Sequence, residues 1–429
     1  MRRCCVSERV IMHIDMNAFY ASVAQHLDPR LRGRAVAVAG DPERRNGIIL
    51  AKSREAKACG VKTAEAIWQA RQKCPQLVIV PPDYAAYKRY SRLARMIYYE
   101  YTDLVEPFGL DESWIDLTGS LHLFGGDAML VANEISGRVK DELGLTVSVG
   151  VSWNKVFAKL GSDTDPGDGV VSITRENYRD VAWPMAASEM IYVGPATARK
   201  LHAAGYETIG DLAHAGDYFL GRRFGKIGFM LRDFANGIDG SPVRQMDPAK
   251  ADVDYVVKGI GNGLTAPRDL VCESDVKALV WLLSESVSQR MRESRLRCRT
   301  VSVGVRRAGD LSGYSRQTTL RMPTCLTSDV AKLAMGLIEA NQPLDEEHAI
   351  RAIHVRATNL SSMDDPLQCD IFGDAEEALR AERLDLAIDE LRSRFGNRCV
   401  HRAVELTDEV MGGLDIKRDN TVHPIGFLR

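Results

Sequence analysis

Ile11-Met12-His13-Ile14-Asp15-Met16-Asn17-Ala18-Phe19-Tyr20 is an apolar β-rich run that ends on a carboxylate. The pattern predicts a strand over 10–14 and a helix over 18–26. A carboxylate closing a buried strand is costly to desolvate unless something pairs with it, so Asp15 needs a partner. The second acidic stretch, Gly109-Leu110-Asp111-Glu112-Ser113-Trp114-Ile115-Asp116, sets an Asp-Glu pair between two short extended runs, 105–108 and 113–117. Three carboxylates at strand ends suit two Mg²⁺ ions roughly 3.5–4 Å apart, because the acids offset the repulsion between the ions. Magnesium takes oxygen ligands and leaves room for phosphate oxygens. A plainer reading stays open: Asp15 caps the helix that follows, and Asp111 starts a turn. Periodicity does not choose between them.

Working outward, further short strands are expected over 35–39, 48–51, 77–80, 146–151 and 170–173. Helices are expected over 54–59, 64–73, 84–101, 128–143 and 154–162. The order strand, helix, hairpin, helix, strand fits an α+β layer of the split βαβ kind, with the elements of 31–78 set to one side. Beyond Pro184 the chain reads as helical and glycine-punctuated to Asp239, and 242–257 reads as a polar linker. Strands and helices resume at Lys258, with 301–305 and 350–358 as the clearest strands. A last helix over 376–395 repeats Leu379, Leu384, Leu386, Ile388 and Leu391 at mostly helical spacing.

The chain has 429 residues, 45% hydrophobic and 27% charged, an ordinary globular composition that excludes fibrous and disordered classes. Its length suggests two to four domains at roughly 100–200 residues each. No apolar run is long enough to cross a membrane, and Met1-Arg2-Arg3-Cys4-Cys5 lacks the apolar core of a secretory signal. Nine cysteines without a Cys-x-x-Cys pair argue for reduced thiols in a cytoplasm, against both a disulfide framework and a zinc site. The formal net charge of −2 means that any attraction for nucleic acid is local. Between Ser286 and Arg321 nine arginines stand against Glu293 and Asp310, whereas 363–429 carries nine basic residues against fifteen acidic. The basic block is a candidate phosphate-contacting surface, with a solvated charged face as the bland alternative. Arg295, Arg297 and Arg299 alternate, which in a strand places them on one face and turns Leu296 and Cys298 to the core.

Two chemistries use similar local sequence and fit poorly. An aspartyl-phosphate phosphatase needs Asp-x-Asp after its strand, and here the second position is Asn17. A cyclic-dinucleotide cyclase needs a Gly-Gly-Asp/Glu turn, and Phe124-Gly125-Gly126-Asp127-Ala128 leads into a helix instead. Three blocks fit a different pattern: Ile14-Asp15-Met16-Asn17-Ala18-Phe19-Tyr20-Ala21-Ser22-Val23, Leu110-Asp111-Glu112-Ser113-Trp114-Ile115-Asp116-Leu117-Thr118, and Gly150-Val151-Ser152-Trp153-Asn154-Lys155-Val156-Phe157-Ala158-Lys159. In order and spacing they resemble the Y-family translesion DNA polymerases. Asn17, Ala56-Lys57-Ala58-Cys59-Gly60-Val61-Lys62 and Lys258-Gly259-Ile260-Gly261-Asn262-Gly263-Leu264-Thr265 resemble first the branch of the DNA polymerase V catalytic subunit, and next that of DNA polymerase IV.

The resemblance implies an α+β right-hand polymerase. It has a ferredoxin-like palm (1–30 and 79–173), small fingers (31–78), a helical thumb with a helix–hairpin–helix-like segment (174–241), a linker (242–257), a separate α+β little finger (258–362) and a tail (363–429). The implied activity is template-directed, error-prone translesion synthesis in the DNA damage (SOS) response, a nucleotidyl transfer from dNTP to a primer 3′-hydroxyl. The alternative is a catalytically silent scaffold that binds DNA and the sliding clamp. Asp15, Asp111, Glu112 and the Met16 carbonyl are the implied ligands of two Mg²⁺ ions, with Mn²⁺ as a substitute. Tyr20 is the implied steric gate against the ribose 2′-hydroxyl, and Phe19, Tyr20, Arg54 and Lys57 surround the nucleotide.

In the thumb, Gly194, Ala196 and Thr197 would contact DNA phosphate through backbone N–H groups. In the little finger, Arg295, Arg297 and Arg299 would grip the duplex. Leu367-Gln368-Cys369-Asp370-Ile371-Phe372 resembles the peptide that docks bacterial polymerases on the β sliding clamp, with Gln368, Ile371 and Phe372 as anchors. The implied partners are primer–template DNA, dNTP, that clamp and SOS accessory proteins, in the cytoplasm at the nucleoid and with no membrane.

Three departures from the family pattern stand out. Arg54 and Lys57 occupy positions where the family usually has Tyr and Arg, and Lys57 lacks the bidentate fork. The Lys that many members carry after Ser162-Asp163 is missing. Tyr192 stands where the thumb hairpin usually has its first Gly. The small fingers leave few side chains to check the shape of a nascent base pair, and low fidelity is the expected consequence.

Overall fold

The structure is a computed structural model, described over residues 8–40, 47–164, 167–246, 257–366, 375–397, 399–407, 411 and 413–416. Short stretches aside, it forms two compact units, drawn from residues 1–254 and 255–424.

The first unit is built on a five-stranded sheet. Its central strand, Ile11–Met16, runs antiparallel to Glu112–Asp116 on one side and to Val147–Ser152 on the other. Val105–Pro107 extends one edge, and Val170–Ser172, parallel to its neighbour, extends the other. The helices Tyr84–Tyr99 and Ala128–Leu143 provide the two crossovers, which is the ferredoxin-like order. Val131, Ile135 and Val139 recur every four residues and meet Met12, Ile14 and Met16 in one core. The opposite face is covered by helix Lys155–Thr164. Gly150 lets that helix come close, since a Cβ there would stand 1.9 Å from the Ala158 carbonyl oxygen.

A three-stranded sheet, Ile49–Lys52, Val36–Ala39 and Val78–Val80, carries the short helices Arg54–Ala58 and Ile67–Lys73. Its core is small and alanine-rich, with Ala35, Ala37, Ala39, Ala56 and Ala70 around Ile49 and Ile67. From Tyr178 to Ala235 the chain is helical, and Leu201, Ile209, Leu212, Leu220 and Leu231 pack against Trp153 and Phe157.

The second unit is a four-stranded antiparallel sheet in the order Gly313–Thr324, Leu296–Arg307, Ile350–Ser362, Gly259–Leu270. Helices Glu273–Glu293 and Thr327–Glu339 cover one face. Helix Ala375–Phe395 inverts the expectation raised by its leucines. Leu384 and Leu391 are exposed, while Asp385 and Arg392 are buried. Its charged face docks on helix Glu273–Glu293: Arg292 donates to Asp385 (3.1 Å) and Asp389 (2.6 Å), and Arg392 donates to Glu285 (2.9 Å). Arg402 joins Glu285 to Asp385. Each buried charge here meets an opposite one, without which its desolvation would be prohibitive. Among the described residues no helix is long and apolar enough to cross a membrane.

Candidate active site

Strand register brings the two acidic stretches together. Asp15 stands directly opposite Glu112, and the Met16 N–H donates to the Asp111 carbonyl at 3.0 Å. Alternation along the strand sends Met12, Ile14 and Met16 into the core and leaves His13 and Asp15 on the face that helix Lys155–Thr164 covers. That helix delivers Lys159, whose Nζ lies 3.2 Å from Glu112 Oε2 and 3.3 Å from Asp163 Oδ1. His13 Nε2 is 3.5 Å from Glu112 Oε2, and its Nδ1 is hydrogen-bonded to Ser162 Oγ at 2.7 Å. Asp116, at the far end of the strand that Glu112 begins, is tied to Thr118 and Arg9.

Burial pushes the Asp15 carboxyl up to about 8, and the charges of Glu112 and Asp111 add to the effect. Burial and Glu112 push Asp111 up to about 6. Burial acts on Glu112 in the same sense, yet His13 and the Lys159 ammonium hold it below the usual carboxylate range. Burial also pushes His13 down, away from the charged form. Two of three converging acids therefore resist ionisation for want of positive charge, which is the electrostatic condition of a divalent-cation site. Among the described residues no three His, Cys, Asp or Glu side chains already enclose an ion-sized space, and Glu112 is engaged by Lys159.

Ala18, in the left-handed region at φ 48°, turns the chain from strand to helix Phe19–Leu27, and Ser22 Oγ braces the turn by donating to the Asn17 carbonyl at 2.7 Å. Tyr20 emerges half-buried from this turn. Its ring stacks on Tyr87, with centroids 4.1 Å apart, and Tyr84 meets it edge-on at 5.9 Å. Burial first, then the Tyr84 and Asp111 charges, push its hydroxyl upward, so it stays neutral. Phe19 corrects an expectation: it is 3% exposed in the core of the sheet and packs on Tyr20 and Tyr87, so its side chain does not line an open site. The supporting pair Tyr84 and Tyr87 was not anticipated. Their three-residue spacing on a helix was the available signal.

Arg54 begins helix Arg54–Ala58, which Ser53 caps by accepting from Ala56 N–H at 3.3 Å. Its guanidinium crosses to the five-stranded sheet, donating to Thr146 Oγ1 at 3.3 Å and pairing with the Asp168 carboxylate. Asn17 Nδ2 donates to that same carboxylate at 3.2 Å, and Asn17 Oδ1 accepts from Ser148 Oγ at 3.0 Å. Lys57 lies exposed on the same short helix.

Residues 14–163 match the impB/mucB/samB family, and 257–371 match its C-terminal domain. A DNA polymerase IV of Acetivibrio thermocellus is 45% identical over 401 residues, spanning 94% of this chain and 98% of its own. The chain belongs to the Y-family of DNA polymerases. DNA polymerase IV 1 of Bacillus subtilis is 36% identical over 402 residues, 94% of either chain. The fold agrees: a Y-family DNA polymerase chimera superposes with a TM-score of 0.70 at 21% identity, covering 82% of this chain and 98% of that one. Both relatives carry the name of the branch that the sequence reading ranked second. Asn17 and the 56–62 and 258–265 stretches, which favoured the other branch, are short signals beside similarity over nearly the whole chain.

The Y-family likeness would make the five-stranded sheet the palm, the three-stranded sheet the fingers, the helices of Tyr178–Ala235 the thumb and the second unit the little finger. In the thumb, Gly194 precedes helix Pro195–His202 and no side chain caps it, so the first-turn N–H groups, that of Ala196 included, are left to other acceptors. Tyr192 adopts φ 70°. The substitution for the family's usual glycine is thus absorbed as left-handed strain, with the ring against Phe234 at 6.2 Å.

In the little finger, Arg295, Arg297 and Arg299 do not share a face. Arg295, at φ 52°, precedes the strand and pairs with Asp364. Arg297 is 8% exposed and bound to Glu382 at 3.1 Å. Arg299 is exposed where the register shifts between Cys298 and Thr300, and such a bulge resets the alternation. Cys298 and Leu296 do pack on the core. The uncovered face instead carries Gly259, Gly261 and Gly263 opposite Thr358, Arg356 and His354. The alternation of 350–358 was enough to single out exposed Arg356. Gln368, Ile371 and Phe372 lie outside the described residues.

Proposed function

We propose that this chain performs template-directed, error-prone DNA synthesis, joining a dNTP to a primer 3′-hydroxyl opposite damaged templates. The observation that carries the reading is the cross-strand pairing of Asp15 with Glu112 beside Asp111. Asp15, Asp111, Glu112 and the Met16 carbonyl would hold two Mg²⁺ ions, or Mn²⁺ in their place. Such ions, when bound, acidify the primer hydroxyl and neutralise the triphosphate and departing pyrophosphate. The acids must be ionised to serve, and cation charge reverses the upward shifts of Asp15 and Asp111. Until then Lys159 keeps Glu112 ionised, and it would have to release that carboxylate for a cation to take it.

Tyr20, backed by Tyr87, excludes a ribose 2′-hydroxyl. Arg54 and Lys57 reach for the triphosphate. The N–H groups of Gly194, Ala196 and Thr197, with Arg299 and Arg356, hold the DNA backbone without reading its sequence. The alanine-rich fingers offer little surface to test a base pair, which supports low fidelity. Gln368, Ile371 and Phe372 dock the chain on the sliding clamp, and SOS accessory proteins join it at the nucleoid of the cytoplasm. Replacing Ile371 and Phe372 with Ala should weaken clamp pulldown, and equal retention would leave the motif as a linker.

Primer extension with purified protein and Mg²⁺ tests the central reading. Templated addition by the wild type and its loss in Glu112→Ala are expected. Absence of templated addition, or equal activity in the variant, overturns it.

A further inference from the structure

We propose that Asp168 competes with the incoming triphosphate for Arg54, and so sets the affinity of this polymerase for its nucleotide. The proposal rests on the reading of Arg54 as a triphosphate ligand and adds a residue to which that reading gives no part.

The Arg54–Asp168 pair links fingers to palm, and its side chains are 53% and 31% exposed. A pair so open is weak and exchangeable, whereas a buried one would be fixed. The carboxylate itself is held in place. Asn17 Nδ2 donates to it at 3.2 Å, Ser148 Oγ fixes the Asn17 amide at 3.0 Å, and the Asn17 N–H donates to the Thr146 carbonyl at 2.9 Å. Thr146 also supplies Arg54 with its second acceptor, at 3.3 Å. Asp168 adopts φ 91°, a conformation that a non-glycine residue keeps only where its surroundings impose it. The anchor therefore stays while the arginine can leave.

Residue 17 explains why the acid is tolerated there. An Asp at 17 would set two carboxylates against each other, whereas the Asn17 amide donates to Asp168. Amide and acid form a matched pair, two residues beyond Asp15. The consequence for the nucleotide follows from charge. A triphosphate is a stronger partner for a guanidinium than one carboxylate, through parallel charge-assisted bonds. Its arrival exchanges one anion for another at Arg54, and the lost pair subtracts from its binding. With no lysine in the usual position after Ser162-Asp163, Arg54 carries a larger share of that binding.

The test compares wild type, Asp168→Asn, Arg54→Ala and the double variant in single-nucleotide incorporation, with inorganic tripolyphosphate binding followed by calorimetry. Asp168→Asn should lower the KM for dNTP and tighten tripolyphosphate about threefold, the worth of an exposed ion pair, with kcat unchanged or lower. In the Arg54→Ala background the same substitution should do nothing. Unchanged or weaker tripolyphosphate binding in Asp168→Asn, or an effect that persists without Arg54, overturns the proposal and leaves Asp168 as a brace of its loop. Should Arg54→Ala leave both KM and tripolyphosphate binding untouched, the assignment of Arg54 itself fails. If catalysis is absent from every protein, calorimetry still reads the exchange, and the polymerase reading alone falls.

Discussion

Tyr20 lies flat on Tyr87, with ring planes within 10° of each other. With Tyr20 as the proposed steric gate, the stack would make that gate a two-residue device, because the position of the first ring is fixed by the second. Tyr20→Ala should raise ribonucleotide incorporation on the order of tenfold or more, while Tyr20→Phe should keep discrimination. Tyr87→Leu should loosen the gate by a smaller factor, since an aromatic pair contributes about 0.5–1.5 kcal/mol beyond its buried area. Ribo/deoxy ratios from competing-substrate primer extension measure all three. An unchanged ratio in Tyr20→Ala would remove the gate assignment.

The acids predict a pH dependence whose sign can be worked out. Asp15 titrates near 3.8 when unfolded and about 8 in the folded, metal-free protein. The folded state thus holds its proton more tightly, and between these values it binds more protons than the unfolded state. Metal-free stability should therefore fall as pH rises from about 4 to about 8, by on the order of a few kcal/mol. Asp15→Asn should flatten that decline, and Mg²⁺ should oppose it at pH 8 because it binds only the folded protein. Thermal melts in chelator and in Mg²⁺ at pH 5.5 and 8.5 read both effects. Rising stability toward pH 8 without metal would contradict the crowding of the acids.

The arginines of the second unit separate into a buried, ion-paired set and an exposed set that the proposed function turns toward DNA. Arg292 is buried between Asp385 and Asp389, so Arg292→Ala leaves Asp389 without its cation and Asp385 with Arg402 alone, and should cost about 3–5 kcal/mol. Arg299→Ala, at an exposed bulge, should leave the denaturation midpoint within error. It should weaken DNA binding and reduce the salt-dependence slope by about one. Chemical denaturation and a salt titration of duplex binding distinguish the two sets.

How far the sequence reveals this architecture depends on the range of the interactions. Asp15 and Asp111 were visible because each interrupts an apolar β pattern, and the ferredoxin order followed from the succession of elements. Strand Gly259–Leu270 was not identified as a strand, because Gly259, Gly261 and Gly263 remove the alternating side chains by which a strand is recognised. The same glycines admit the side chains of Arg356 and His354 from the neighbouring strand. Arg297 looked solvent-facing because Glu382, which covers it, comes 85 residues later. Asp168 gave no signal: its partner Arg54 is 114 residues away, and an Asp near glycines reads as a turn. Local chemistry is written in the chain, whereas pairings made by tertiary approach are not.

Ala196 allows helix stability and DNA binding to be separated in the thumb. It lies exposed in the first turn of helix Pro195–His202, whose N-cap, Gly194, has no side-chain cap. A carboxylate at that position complements the helix dipole and is worth about 0.3–1 kcal/mol in stability. The same carboxylate would repel a DNA phosphate approaching the N–H groups. Ala196→Glu should therefore hold or raise the melting temperature while it weakens primer–template binding several-fold, more strongly at low salt than at high. Fluorescence anisotropy at two ionic strengths, beside a thermal melt, gives both readings. Equal DNA affinity at low salt would mean that phosphate is held elsewhere in the thumb, and the hairpin would then be a packing element around Tyr192 and Phe234.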